Sequence, residues 1–298
     1  MSLDPQAVSM QDAVGVAALL DAAAASLLAD PARRGSSVML PRRGRILLTG
    51  DLHDSLAHFR IVQELARLGR SPDNHLVLHE LIHGERLVNG VDLSYRMLCR
   101  VAQLVLAFPG QVHVVLANHE LAQAFRQPVS KGAGDNLELF DAGLEWAFGD
   151  DAALVEEAIV RFVLAMPLAV RCENGLMLSH SLPAPHELEG FDPGILDRPL
   201  VEGDYALRTG GAWRMTWGRG WDRDELALLG ERWNVRTFVL GHAFVEHGAE
   251  APFPNLLLLN SDHEHGRVVA VDLAADAPDA DAMVMESVPL SAYGAADA

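Results

Sequence analysis

The chain predicts an α/β fold, two mixed sheets packed face to face and flanked by helices, a four-layer α/β/β/α sandwich. Three observations carry that expectation. The runs at 45–49, 75–78 and 112–116 are largely apolar, as strands buried on both faces of a parallel sheet are. Helical patterns alternate with these runs, which is the βαβ rhythm. From Pro167 onward the texture changes to short, closely spaced strands, which requires a second sheet.

Taken in order, residues 6–28 read as an amphipathic helix and 31–43 as a polar, basic connector. The first strand, 45–49, leads to a helix over 55–68; a strand over 75–78 precedes a long helix over 93–108, stopped by Pro109-Gly110. After the strand at 112–116 a helix begins near Leu121, and helices follow over 137–146 and 152–165. Lys131-Gly132-Ala133-Gly134 reads as a loop without P-loop spacing. Strands at 168–171 and 176–178 flank Glu173-Asn174-Gly175, whose Asn-Gly pair is a hairpin signal. A Pro/Gly-rich excursion over 183–221 is too long for a plain loop and is expected to be functional or to hold short helices. Further strands are expected at 237–240, 256–259, 268–271 and 283–288. The domain reading is an N-terminal helix and connector (1–36), one catalytic-sized domain (37–290) and a frayed tail (291–298).

Composition narrows the function classes. Half of the 298 residues are hydrophobic, enough for a core without staples, and both cysteines, Cys99 and Cys172, sit in apolar stretches as expected of free thiols in a reducing compartment. The formal charge of −18 argues against duplex nucleic acid and anionic membranes, whose partners need Lys and Arg. No apolar run is long enough to span a bilayer, and the start lacks the basic segment of a signal peptide. The expected location is therefore the cytoplasm.

The chemistry gathers at strand ends. Gly50-Asp51-Leu52-His53 and Asn118-His119-Glu120 follow two of the buried strands, at the carboxyl edge where α/β sheets collect ligands. His180 ends the strand at 176–178 and His242 ends the one at 237–240. A single strand-end His is more often structural than functional. A series of them joined by Asp and Asn is the hard oxygen and imidazole donor set of a divalent metal site.

As an ordered set these motifs resemble the calcineurin-like metallophosphoesterase superfamily, nearest its phosphoprotein (serine/threonine) phosphatase branch. Gly50-Asp51-Leu52-His53-Asp54 is similar to that family's GDxHG with Asp54 in place of Gly, and Ala117-Asn118-His119-Glu120 to its GNHE. Ser179-His180-Ser181 and Gly241-His242-Ala243 stand where its two later histidines belong. The resemblance spans residues 44–273 and implies a dinuclear site for Mn, Fe or Zn. It implies that Asp51 and His53 hold one ion, that Asn118, His180 and His242 hold the other, and that His119 is the proton donor. Glu120 would orient a neighbour. It further implies hydrolysis of phosphate monoesters on a phosphorylated substrate, by attack of a metal-bound hydroxide between ions about 3.5–4 Å apart. Arg219, with Arg214 as the fallback, and Asn118 would grip the phosphate.

The second motif departs from the pattern. Where the family has GDxxDRG, this chain has His79-Glu80-Leu81-Ile82-His83-Gly84-Glu85, so Glu80 stands in for the metal-bridging Asp and His83 for the Asp that orients the catalytic His. The same string is a literal H-E-x-x-H, which on a helix would place His79 and His83 on one zinc with Glu80 as the general base of a protease. A third reading is a phosphatase-like protein that binds metal or phosphate with little turnover. The segment from Ser261 to Gly266 reads as a solvated turn, with gating of the site as the alternative, and His247 as a neighbour of the site.

Overall fold

The computed structural model describes residues 4–127 and 136–293; the loop expected at Lys131–Gly134 and the last residues of the tail lie outside them. In chain order the strands are β1 (Arg33–Arg34), β2 (Ser37–Leu40), β3 (Arg45–Thr49), β4 (Asn74–Leu78), β5 (Val112–Val114), β6 (Ala169–Cys172), β7 (Leu176–Ser179), β8 (Thr237–Leu240), β9 (Ala249–Phe253), β10 (Leu256–Leu259), β11 (Arg267–Asp272) and β12 (Val288–Pro289). The helices are α1 (Ala13–Leu28), α2 (Leu56–Ala66), α3 (Tyr95–Ala107), α4 (Asn118–Phe125), α5 (Asn136–Phe148), α6 (Ala152–Ala165), α7 (Gly211–Trp217), α8 (Arg223–Trp233) and α9 (Ala280–Glu286).

The strands form two mixed sheets, one of seven strands in the order β1-β2-β6-β7-β8-β10-β9 and one of five in the order β12-β11-β3-β4-β5. Within each lies a parallel block, β3, β4 and β5 in the smaller sheet and β7, β8 and β10 in the larger. The alternation of side chains along each strand divides the core in two. Ile46 and Leu48, Val77, Leu176 and Leu178, Val239, Leu257 and Leu259, and Val269 and Val271 fill the layer between the sheets. Their neighbours Leu47, Leu76, Leu78, Val114, Met177, Phe238 and Leu240 face the helices. The α/β/β/α sandwich is as the sequence predicts.

The differences from the sequence reading have local causes. The stretch 31–43 is no connector: Ser37–Leu40 pairs in parallel with β6 and sends Val38 and Leu40 into the layer between the sheets. The arginines on either side mask that alternation. The strand expected at 283–288 is instead α9 followed by the short β12, because Asp279 caps the Ala282 N–H at 2.8 Å. Ala280 and Met283, one helical turn apart, then close the end of the inter-sheet layer. Helix α1 starts at Ala13 rather than residue 6 and buries Val16, Leu19, Leu20 and Ala23 against α3 and α6. β9 and α8 had no counterpart in the sequence reading. The excursion over 183–221 carries short 3₁₀ helices and α7. No helix among the described residues is long and apolar enough to cross a membrane.

Candidate metal centre

The carboxyl ends of the two parallel blocks meet at one seam. Backbone groups stitch it: the Ser261 N–H donates to the Asp51 carbonyl at 3.0 Å, and the Gly50 N–H donates to Ser261 Oγ at 2.9 Å. Asp51 and Asn260 form an isolated parallel bridge from one sheet to the other. A side chain at Gly50 would collide with the Leu259 carbonyl, so glycine is required for this approach.

Loops after β3, β4, β5, β7 and β8 bring the ligand-type residues together. The tightest group is Asn118 on the first turn of α4 with His180 and His242. Asn118 Oδ1 lies 2.6 Å from His180 Nε2 and 3.0 Å from His242 Nδ1, and the two nitrogens are 3.2 Å apart. Glu80 Oε2 is 3.5 Å from His180 Nε2. The second group is wider: Glu80 Oε1 stands 3.6 Å from His53 Nε2 and 3.5 Å from His119 Nε2. His53 Nδ1 donates to the Ile82 carbonyl at 3.0 Å, which leaves Nε2 as its lone-pair nitrogen. Donor atoms sharing one ion at about 2.0–2.2 Å stand about 3–3.5 Å from each other, so both groups have the spacing of ligand sets.

Asp51 is turned toward the seam. Its carboxylate accepts the His242 N–H at 3.1 and 3.2 Å and lies 3.6 Å from His79 Nδ1 and 3.7 Å from His180 Nδ1. The ligand-type atoms of Asp51, His79 and His180 form one cluster within 4.8 Å, and those of His53, Glu80 and His119 form another. The structure thus groups Asp51 with His180 more closely than the sequence reading did, and brings in His79.

Burial keeps these imidazoles uncharged. It lowers His79 to about 4 and, with Arg219 adding to the effect, His242 to about 3; His180 is driven well below its ordinary value by burial and then by the neighbouring imidazoles. Neutral imidazoles present lone pairs, the form a metal accepts.

The segment 79–83 is not a helix, which removes the protease arrangement. Glu80 and His83 have left-handed backbones (φ 50° and 59°), and the two histidines point to different partners. His83 Nδ1 lies 2.9 Å from His119 Nδ1. Gln123 gives its amide N–H to Asp141 at 3.2 Å, so its oxygen faces His83 Nε2, also at 3.2 Å. His83 therefore buttresses His119 although it is not an Asp. Glu120 Oε1 accepts the N–H groups of Leu81 at 2.6 Å and Ile82 at 3.2 Å and so fixes the loop that carries Glu80; burial raises its pKa to about 7. Of the ten described non-glycine residues with positive φ, five (His53, Asp54, Glu80, His83 and His242) belong to this centre, the concentration of backbone strain expected of a functional site.

A cleft of about 210 Å³ opens over both groups, lined by Asp51, His53, Glu80, Asn118, His119 and His242 together with Arg219, Phe244, Asn260 and Asp262. Arg219 Nη2 is 3.5 Å from His242 Nδ1. The fallback Arg214 lies elsewhere, donating to the Glu187 carbonyl at 3.1 Å. Residues 261–266 form a turn with Glu264 and His265 exposed, as expected, and Asp262 and His263 from it line an adjoining hollow of about 390 Å³ with His53 and Asp54. His247 pairs only with the outlying ring of His265, at 6.2 Å, among the contacts described. Phe244, 77% exposed beside the cleft, has no ligand-type group and gets no role from the sequence, and Asp262 enters there only as part of the segment from Ser261 to Gly266.

No protein-family model matches the chain, and no curated protein sequence matches it. Its fold does match solved structures. One is a protein serine/threonine phosphatase from Saccharomyces cerevisiae with similarity to human phosphatase PP5, at a TM-score of 0.64 and 13% identity over 87% of this chain and 82% of that one. Another is the cold-active protein-tyrosine phosphatase of a psychrophilic Shewanella species, at 0.50 and 13% identity over 79% and 77%. At these identities the likeness is one of architecture: the chain has the α/β sandwich found in these phosphatases.

Proposed function

We propose that the protein is a metal-dependent phosphoesterase that hydrolyses phosphate monoesters at a two-ion site. One observation carries the reading: Glu80 turns Oε1 to His53 and His119 and Oε2 to His180, so a single carboxylate faces both ligand groups, as a residue bridging two ions must. The converging donors fit an ion. Asn118 Oδ1 can only accept, and His180 Nε2 and His242 Nδ1 stand within 3.0 Å of it and 3.2 Å of each other, a convergence of ligand-type atoms that an ion would satisfy. The fold shared with the phosphatases above supports the same reading.

In this reading Asn118, His180, His242 and Glu80 hold one divalent ion, and His53 and Glu80, with the charge of Asp51, hold the other. Bound there, the pair supplies a nucleophile from water at neutral pH and neutralises the phosphoryl oxygens. The remaining work falls to the chain. Arg219, on the cleft wall, and the Asn118 amide grip the phosphoryl oxygens. His119 has Nδ1 engaged with His83, so Nε2 is the atom that faces the cleft; in the imidazolium form, with Nδ1–H held by His83, it would pass its Nε2 proton to the departing alkoxide and return to the neutral ring. A phosphorylated protein or a small phosphate ester is the substrate, as for a serine/threonine phosphatase.

The test is metal content with turnover. Protein loaded with Mn²⁺, Zn²⁺ or Fe²⁺ is expected to carry two ions per chain and to hydrolyse p-nitrophenyl phosphate and phosphoserine peptides. Asp51→Asn and His119→Ala are expected to lower turnover about 10²–10³-fold. Two ions without turnover on any phosphate ester would reduce the protein to a metal-binding relative, and one zinc with peptide cleavage would overturn the reading.

A further inference from the structure

His79 stands where the resemblance implies a glycine, and nothing in the proposed reaction uses it. It is fully buried, with both ring nitrogens engaged: Nε2 is 3.0 Å from the Thr49 carbonyl, and Nδ1 is 3.0 Å from Nδ1 of His180. Gly241 makes this possible, since a Cβ there would run into the His79 ring and the Asp51 carboxylate.

We infer that His79 is a positioning residue that sets which nitrogen of His180 bears the proton, and thereby aims a lone pair from His180 Nε2 into the Asn118–His242 group. The inference rests on the metal reading above for its purpose but on hydrogen-bond chemistry for its substance. A backbone carbonyl only accepts, so the His79 nitrogen facing Thr49 must be N–H. The neutral ring then has its lone pair on Nδ1. Two lone pairs 3.0 Å apart in a buried site repel, so the proton between the rings belongs to His180 Nδ1. The other nitrogen of His180, Nε2, is left unprotonated where Asn118 Oδ1, His242 Nδ1 and Glu80 Oε2 converge on it. Asp51 Oδ1, 3.6 Å from His79 Nδ1 and 3.7 Å from His180 Nδ1, favours a proton between the rings; the Thr49 carbonyl decides which ring carries it. A metal-ligating histidine commonly gives its second N–H to a carbonyl or carboxylate. Here a second histidine takes that part and passes the demand on to Thr49.

The same atoms admit a rival, an ion held between Asp51, His79 and His180. The two arrangements exclude one another. That ion would take His180 Nδ1 as a ligand, so His180 could carry no proton there, and serving the Asn118–His242 group as well would cost the ring its last proton; the relay leaves it an ordinary neutral ring.

Long-range ¹H–¹⁵N correlation spectra of the histidine side chains distinguish the two, first on the metal-free wild-type protein. The expected result is His79 protonated at Nε2 and His180 protonated at Nδ1. Zn²⁺ is then titrated against a competing chelator. His79→Leu, which fills the space without an acceptor, is expected to weaken binding at the Asn118–His180–His242 group about 10–100-fold. His79→Asn, whose carbonyl can stand near the Nδ1 position, is expected to restore most of it. His180 protonated at Nε2, unaltered Zn²⁺ affinity in His79→Leu, or a ligand-type ¹⁵N shift of His79 Nδ1 on Zn²⁺ addition would each overturn the relay. If His79→Leu does not fold, the wild-type spectra still separate the relay from the bridging ion. The expected tautomers in a protein that binds no Zn²⁺ would uphold the relay and sink the metal reading; wrong tautomers in a protein that binds two ions would do the reverse.

Discussion

The two ligand groups differ in tightness and in support. Asn118, His180 and His242 lie within 2.6–3.2 Å of each other and draw on both sheets. In the other group Glu80 stands 3.6 Å from His53 and 3.5 Å from His119; all three come from the smaller sheet alone, and His53 borders the adjoining hollow. The loop after β4 backs each group with a histidine: His79 behind His180, itself anchored on Thr49, and His83 behind His119, anchored on Gln123. On the proposed two-ion reading, the closer group would hold its ion more firmly, and the wider one would be the side that exchanges its ion and meets substrate.

The largest expected effect comes from removing what the two groups share. Glu80→Ala takes one oxygen from each, and ion content measured by mass spectrometry should fall from two to less than one per chain, with turnover down about a thousandfold. A variant that kept one full ion would show that Glu80 serves one group alone. Next in size is the contrast between the groups. Stepwise chelation should strip the wide group first, with the two ions differing at least about tenfold in affinity. Asn118→Ala should abolish the tighter step and His53→Ala the weaker one. The reverse order of loss would break the comparison.

A separate effect concerns the metal-free protein and acid. His79 and His242 have folded values of about 4 and 3, below the ordinary 6.5, so the unfolded chain takes protons that the folded chain refuses. Their contribution to stability is whole above about pH 6.5 and is lost as pH falls toward 4, at up to about 1.4 kcal/mol per pH unit for each group. Urea midpoints followed from pH 7 to 4.5 should therefore decline, and more shallowly in His242→Gln. An equal flattening by His53→Gln would show that acid sensitivity is not a property of the tight group.

Much of this was legible in the chain because it is written locally. Uniform apolar runs marked the parallel strands, and the strand-end positions of Asp51, His53, Asn118, His180 and His242 marked the edge at which they meet. Other features depend on neighbours distant in sequence. β2 reads as basic connector until β6 lies beside it. Residues 283–288 look like a strand until Asp279 caps the helix. His79 and His83 spell a helical zinc motif, yet tertiary contacts from Glu120 and backbone conformations at Glu80 and His83 hold that segment in another shape. The partners of His79 come from β3 and from the far sheet, so no spacing in the sequence encodes them.

The left-handed residues at the centre limit how this protein can change. At Asp54 the backbone would accept Asn or Gly, and both can be expected to survive in a library of variants. At Glu80 and His242 the backbone favours the same small set while the chemistry demands a carboxylate or an imidazole. Neither requirement can be relaxed without violating the other. Such positions should tolerate fewer replacements than residues of the hydrophobic core, where one aliphatic side chain readily substitutes for another.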